Sequence, residues 1–158
     1  MPESQPNEPF EEPPFDQIAG ISRMHVQAME SSDADEIWIG AGMHQLVLTT
    51  KGRKSGNEHK VALPYWVDDD GSLIVVASYA GAQQHPAWYL NLTDKAANPE
   101  VRVQTQQKKF WADAQVLDGD DYTKVWDALT ADREYYRNYQ TRTDRKIPLV
   151  RLVEQRAA

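Results

Sequence analysis

The sequence predicts an antiparallel β-barrel decorated with helices, a mainly β chain of the α+β class, on three observations. Short runs of β-formers outnumber helical segments, about six against three or four. These runs mostly follow one another directly, which disfavours a doubly wound parallel sheet. The chain has 158 residues, 41% of them hydrophobic, enough for one domain with a real core.

Taken in order, residues 1–16 ("MPESQPNEPFEEPPFD") carry Glu3, Glu8, Glu11, Glu12 and Asp16, no Lys or Arg, and several prolines. Such composition predicts a solvated, disordered acidic arm, leaving 17–158 as the single folded domain. "FDQIAGISRMHVQAM" (15–29) has apolar residues at helical spacing and reads as a short amphipathic helix. Residues 30–42 read as a loop with Ile37, Trp38 and Ile39 as an apolar anchor. "HQLVLTT" (44–50), "HKVALPYWV" (59–67) and "SLIVVAS" (72–78) read as strands, with Pro64 marking an edge or bulge and "DDDG" (68–71) a tight turn.

"HPAWYLNLTDKAAN" (85–98) reads as a helix with Pro86 in its first turn. "EVRVQTQ" (100–106) and "KFWADAQVL" (109–117) alternate as a hairpin, and residues 120–140 are helical with a break near Asp132. "IPLVRLVE" (147–154) closes as a strand.

Composition excludes several functions. There is no cysteine, so disulfides, Cys-ligated zinc and iron–sulfur clusters are ruled out. His25, His44, His59 and His85 show no metal-ligand spacing, and no metal is expected. The formal net charge of −7 argues against nucleic acid as a partner. No apolar stretch reaches membrane-spanning length, and the acidic start is unlike a signal peptide. The cytoplasm is the expected address, with peripheral membrane contact left open.

Against this acidic background, "TTKGRKSG" (49–56) concentrates Lys51, Arg53 and Lys54 around two glycines. One reading is a hairpin connection with solvated charges. The other is an anion cradle: glycines admit backbone N–H groups, Ser55 donates a hydroxyl, and the Arg53 fork matches a phosphate. Lys54 and Lys60 add point charges. Neither a Walker loop nor a dinucleotide fingerprint is present.

"LVLTTKGRKSG", "ALPYWVDDDGSLIVVAS", "HPAWYLNLTDKAANPEVRVQ" and "YYRNYQTRTDRKIPLVRL" occur in the order and spacing of one family. Over residues 43–154 the sequence resembles the deazaflavin-dependent nitroreductases, actinobacterial oxidoreductases that use coenzyme F420. The resemblance implies a split β-barrel. It also implies a cofactor whose side chain ends in a phosphodiester and γ-linked glutamates, several negative charges for a basic loop to hold.

Matched by position, Arg53, Lys54 and Ser55 correspond to the phosphate-binding loop. Lys60, Val61, Ala62, Leu63, Pro64 and Tyr65 run along the cofactor. Val76, Ala77, Ser78 and Tyr79 form the strand end beside the deazaflavin ring, and Ala87, Trp88, Tyr89, Leu90 and Asn91 the helix start bordering it. Tyr136 and Tyr139 line the substrate pocket, with Tyr136 nearest the cofactor. They and Ser78 are the candidate catalytic donors, with Tyr65 secondary. Tyr79 stands where the family often has lysine, and Arg133 where some members have tyrosine. "RTDR" (142–145) reads as structural, with Asp144 capping or pairing locally and Arg142 and Arg145 solvated.

The implied activity is hydride transfer from reduced coenzyme F420 to a quinone, nitroaromatic or other electron-poor conjugated acceptor. Two alternatives stay open: a deazaflavin carrier without efficient turnover, and a split barrel using FMN.

Overall fold

The structure, a computed structural model, describes residues 15–158, with side chains from Arg23 onward. The expected arm, 1–16, lies outside the described residues except for Phe15 and Asp16, with which the first helix opens.

Among the described residues five helices and eight strands follow one another: α1 (Phe15–Ser31), α2 (Asp35–Trp38), β1 (Ile39–Gly40), β2 (Met43–Lys51), β3 (Glu58–Pro64), β4 (Trp66–Val67), β5 (Leu73–Val76), α3 (Ala87–Thr93), β6 (Val101–Gln104), β7 (Lys109–Val116), α4 (Gly119–Asp132), α5 (Tyr135–Thr141) and β8 (Leu149–Ala157). A one-turn 3₁₀ segment, Tyr79–Gly81, lies between β5 and α3. Every strand pair is antiparallel. The order across the sheet is β3-β2-β6-β7-β8-β5-β4, with the short β1 also on β2.

The two extra strands have local causes. Residues 59–67 divide at Pro64, which has no N–H to give a ladder. Tyr65 N donates to His44 O at 3.0 Å, and the next residue, Trp66, pairs with Ile74 of β5. One residue thus carries the chain from one edge of the sheet to the other, and the sheet must curl for those edges to meet. The expected loop 30–42 instead contains α2 and β1, and the Trp38 anchor is 2% exposed, its Nε1 donating to Ser32 O at 2.7 Å.

Helix α3 stops at Thr93, short of the expected 98. Asn98 Nδ2 donates to Asn91 O at 2.9 Å and Asp94 N to the same oxygen at 3.1 Å, occupying the acceptor a further helical turn would use. The break near Asp132 is present, with Arg133 (φ −130°, ψ 75°) leaving helical geometry between α4 and α5. The "DDDG" turn is held by Asp68, whose Oδ1 accepts from Asp70 N and Ser72 N while Oδ2 accepts from Arg151 Nε at 3.0 Å.

Strand alternation builds the core on both faces. On β2, Leu46 and Leu48 point into the barrel with Val103, Phe110 and Leu152, whereas Val47 joins Val26, Met29 and Trp38 beneath α1. On β5, Val75 points into the barrel and Ile74 and Val76 pack against Leu129, Tyr136 and Tyr139 of α4 and α5. The strands central to the fold are therefore covered on both sides.

Tyr122 on α4 ties that layer to the barrel, its hydroxyl donating to Ile147 O at 2.6 Å. Burial pushes its phenol up to about 12. Above about pH 10 the unfolded chain releases a proton that the folded chain keeps, so stability falls as pH rises toward 12. Between about pH 8 and pH 11 this residue's share is on the order of 1 kcal/mol. Tyr122→Phe is expected to remove that share of the alkaline slope, at a cost near 1 kcal/mol at neutral pH for the lost bond. Urea unfolding of both proteins at about pH 8 and pH 11 checks it.

Candidate active site

A groove of about 950 Å³ is lined by α1, β3, the loop after β2, the end of β5 and the starts of α3 and α5. Val61, Ala62, Leu63, Pro64, Val76, Ala87 and Trp88 give it apolar walls. β2 spans nine residues, roughly 30 Å of strand, and its ends mark the ends of the groove. Tyr135 Oη donates to Met43 Sδ at 2.9 Å at the start of β2, and the basic loop follows Lys51 at its end.

The basic loop is compact. Gly52 N donates to Asn57 O and Gly56 N to Gly52 O, both at 2.8 Å. These two glycine amides are spent inside the loop. Gly56 alone of the two has positive φ, +73°. Gly52 is needed for closeness: a Cβ there would lie 2.5 Å from Ser55 Oγ and 2.9 Å from His59 Nε2. Arg53, Lys54 and Ser55 of the loop line the groove. Asn91, 4% exposed on α3, positions the first, its Oδ1 accepting from Arg53 Nη1 at 3.0 Å and Arg53 N at 3.3 Å. Lys60 also lines the groove, where its Nζ meets Glu30 Oε2 of α1 at 2.6 Å.

The turn after β5 is strained. Tyr79 (φ 45°) and Ala80 (φ 52°) are consecutive left-handed residues without being glycine, a cost of order 1–2 kcal/mol each. Gly81 completes the turn at φ +79°, where a Cβ would lie 2.7 Å from Tyr139 O. Arg145 holds the turn: it donates to Ala77 O at 3.0 Å, Ser78 O at 2.7 Å and Ala82 O at 2.8 Å. It also donates to His85 Nδ1 at 3.1 Å. Burial, and then the Arg145 charge, lower the His85 pKa, so the ring stays neutral and able to accept. Arg142 adds a contact to Ala80 O and stacks on Tyr139. "RTDR" is structural as expected; Arg142 is exposed, whereas Arg145 is half-buried and grips this turn instead of being solvated.

Tyr135, Tyr136 and Tyr139 form an aromatic trio with ring centroids 4.4–6.0 Å apart. All three line the groove, and Tyr136 and Tyr139 are 3% and 6% exposed. Burial raises the Tyr136 pKa, while its hydrogen bond with Tyr135 and the Arg133 charge pull it back. Burial, and then Tyr136, raise the Tyr135 pKa as well, so it stays a neutral phenol.

The groove brings together Arg53, Lys54, Ser55, Lys60, Val61, Ala62, Leu63, Pro64, Val76, Ser78, Tyr79, Ala87, Trp88, Asn91, Tyr136 and Tyr139. Four named residues do not line it. Tyr65 packs on the barrel core and beside His44, and Ala77 is fully buried behind the turn. Tyr89 leans on His85, ring centroids 4.7 Å apart, and Leu90 lies on the half-buried side of α3. Sequence reading missed Met43 and the α1 residues Arg23, Val26, Gln27 and Glu30. The i, i+3, i+4, i+7 spacing of the α1 four marked one helical face, but nothing in it named the groove.

Fold and groove together define a split β-barrel with one long ligand groove. A family model described as F420H(2)-dependent quinone reductase matches residues 21–154. The chain belongs to this family, whose coenzyme is F420. An F420H(2)-dependent quinone reductase of Mycobacterium tuberculosis is 36% identical over 113 residues, 70% of this chain and 73% of that one. A solved F420-H2 dependent reductase superposes with a TM-score of 0.58 at 36% identity, over 68% of this chain and 92% of the other. Another structure, described as a domain-swapped dimer, has a TM-score of 0.60 at 31% identity, covering 82% and 95%.

Arg145→Lys keeps the charge but loses the fork that reaches three carbonyls and an imidazole. It is expected to cost about 2 kcal/mol or more, read by denaturant unfolding, because buried carbonyls lose their donors.

Proposed function

We propose that the chain transfers a hydride from reduced coenzyme F420, held in this groove, to a quinone or similar electron-poor acceptor. The observation that carries the reading is the groove's polarity along β2: cationic side chains after Lys51, apolar walls between, and buried phenols beside Met43.

The residues present fit the coenzyme. A flat ring suits the slot between Val76, Pro64 and Trp88, and an anionic tail suits Arg53, Lys54 and Ser55. Asn91 pre-orients Arg53, so less side-chain freedom is lost on binding. Lys60 would exchange Glu30 for a tail carboxylate or phosphate. The strained turn at Tyr79 and Ala80, held by Arg145, sets the wall beside Ser78. When bound, reduced F420 supplies a hydride from C5 of its deazaflavin ring. Tyr136 then has the donor role: it lines the groove, and its phenol can give a proton to an acceptor oxygen as charge arrives there. Tyr139 and Ser78 border the same space as secondary donors.

Two further parts of the reading concern surroundings. The acceptor is a small molecule, and the cytoplasm is the proposed setting. Among the described residues no helix is long and apolar enough to cross a membrane. Contact with a membrane surface, a source of lipophilic quinones, finds support in Met24, 72% exposed on α1 next to groove-lining Arg23.

Side-by-side titration tests the coenzyme. Oxidised F420 should bind more tightly than FMN, and less tightly as salt rises; equal or tighter FMN binding would sink the reading. Replacing Arg53 and Lys54 together by Ala should weaken F420 binding by roughly two orders of magnitude, from contacts worth about 1.5–3 kcal/mol each. The melting temperature should scarcely change, since both side chains are exposed.

Chemistry should separate from binding. Tyr136→Phe is expected to leave F420 affinity nearly unchanged and to lower turnover of reduced F420 with menadione about tenfold or more. Unchanged turnover would remove Tyr136 from the donor role.

A further inference from the structure

Behind the tyrosine trio sits a cation that the proposed reaction has not used. Arg133 is 8% exposed and caps α4, its N donating to Leu129 O at 2.7 Å and its carbonyl accepting from Tyr136 N at 3.3 Å. It does not line the groove; Tyr135 and Tyr136 stand between. Arg133 lies three residues before Tyr136 and is joined to it through the backbone, and its charge and donors favour the ionised form of the Tyr136 phenol, as does Tyr135. The Arg133 Nε is a buried donor without a hydrogen-bond partner. Among the described residues no carboxylate forms an ion pair with Arg133. Neighbouring Asp132 instead accepts from Trp66 Nε1 at 3.1 Å.

An enclosed guanidinium without a counter-charge is costly, and an apolar side chain of similar length would fill the volume at less expense. Something at this position benefits from the charge. The group whose charge it favours is the phenol assigned to proton donation.

We propose that Arg133 is a positioning residue for acceptor reduction, holding the Tyr136 hydroxyl and balancing the negative charge that gathers around it during the reaction. This rests on the reading of Tyr136 given above. In that reading the acceptor takes a hydride from reduced F420, and negative charge appears on an acceptor oxygen. The Tyr136 O–H bond breaks as the new acceptor O–H bond forms. The resulting phenolate lies against the Arg133 guanidinium until it is reprotonated from water, which recovers the proton lost as the coenzyme is oxidised. The sum is one hydride and one proton from reduced F420 to the quinone, leaving oxidised F420 and hydroquinone. A second consequence needs no turnover: an acceptor analogue already carrying a negative oxygen should gain affinity from Arg133, and a neutral one should not.

The test uses the full chain and the variants Arg133→Met, Arg133→Lys, Tyr136→Phe and the double variant Arg133→Met with Tyr136→Phe. Four quantities are measured: melting temperature, affinity for oxidised F420, kcat and KM with menadione, and affinity for 2-hydroxy-1,4-naphthoquinone, an anion at neutral pH, against neutral menadione. Arg133→Met should lower kcat about tenfold while KM and F420 affinity stay within about twofold. It should also erase the preference for the anion. Arg133→Lys should restore most of both losses. In the Tyr136→Phe background, Arg133→Met should lower kcat little further, because the two act as a unit.

Should Arg133→Met melt early, Arg133→Gln keeps a donor, drops the charge and carries the same expectations. Arg133→Met or Arg133→Gln with unchanged kcat and unchanged anion preference overturns the proposal, while a slow Tyr136→Phe leaves the reading of Tyr136 standing. Independent, multiplicative losses in the double variant overturn it as well. Unchanged turnover in Tyr136→Phe defeats the reading of Tyr136, and the proposal with it.

Discussion

The sheet's two edge strands are consecutive in the chain, and the rest of the architecture follows from that. β3 ends at Pro64 and β4 begins at Trp66, so the open ends of a seven-strand path are joined through Tyr65. A flat sheet would hold those edges several strand widths apart, at about 4.8 Å per strand. The sheet therefore curls, and the curl turns alternation on β2 and β5 into an inside and an outside. The inside takes Leu46, Leu48 and Val75; the outside takes α1 on one flank and α4 with α5 on another. The groove lies where these outer layers fail to meet over β3.

Polar side chains do in that groove what packing does elsewhere. Asn91 and Asn98 are both almost fully buried and fix the basic loop from α3 and the turn after it. Asn91 reaches Thr50 and Arg53, and Asn98 binds both the N–H and the carbonyl of Lys51. At the other end Arg145 fixes the left-handed turn. Each of these residues satisfies groups that an apolar residue would leave orphaned, so the exposed charges of Arg53 and Lys54 stand on a rigid base.

Much of this was legible in the sequence. The hairpin of β6 and β7, the break before Arg133 and the Pro64 junction are local signals, written in alternation, periodicity and a missing N–H. Motif spacing along 49–56, 85–92 and 135–150 gathered most of the groove in advance. What stayed hidden depends on partners far away in the chain. Arg145 looks like a surface charge until Ala77, Ser78 and Ala82, more than sixty residues earlier, are seen around it. Tyr65 and Leu90 sit within matching motifs yet do not line the groove, because successive side chains of a strand or a helix point in different directions. The α1 face with Arg23 and Glu30 carried amphipathic periodicity only, and periodicity does not say what the polar half will touch.

The placement of β8 carries a temporal consequence. It lies between β7 and β5, hydrogen-bonded to both, yet it follows every other described element in the chain. During synthesis the ribosome releases β5 and β7 long before the strand that must separate them. Until then the exposed edges of those two strands have no ladder partner on that side, and the curl cannot close. Acquisition of the barrel is thus a late event, concerted around one incoming segment. In the interval the nascent chain offers two unpaired edges, the kind of surface on which holdase chaperones act or a neighbouring copy could insert its own strand.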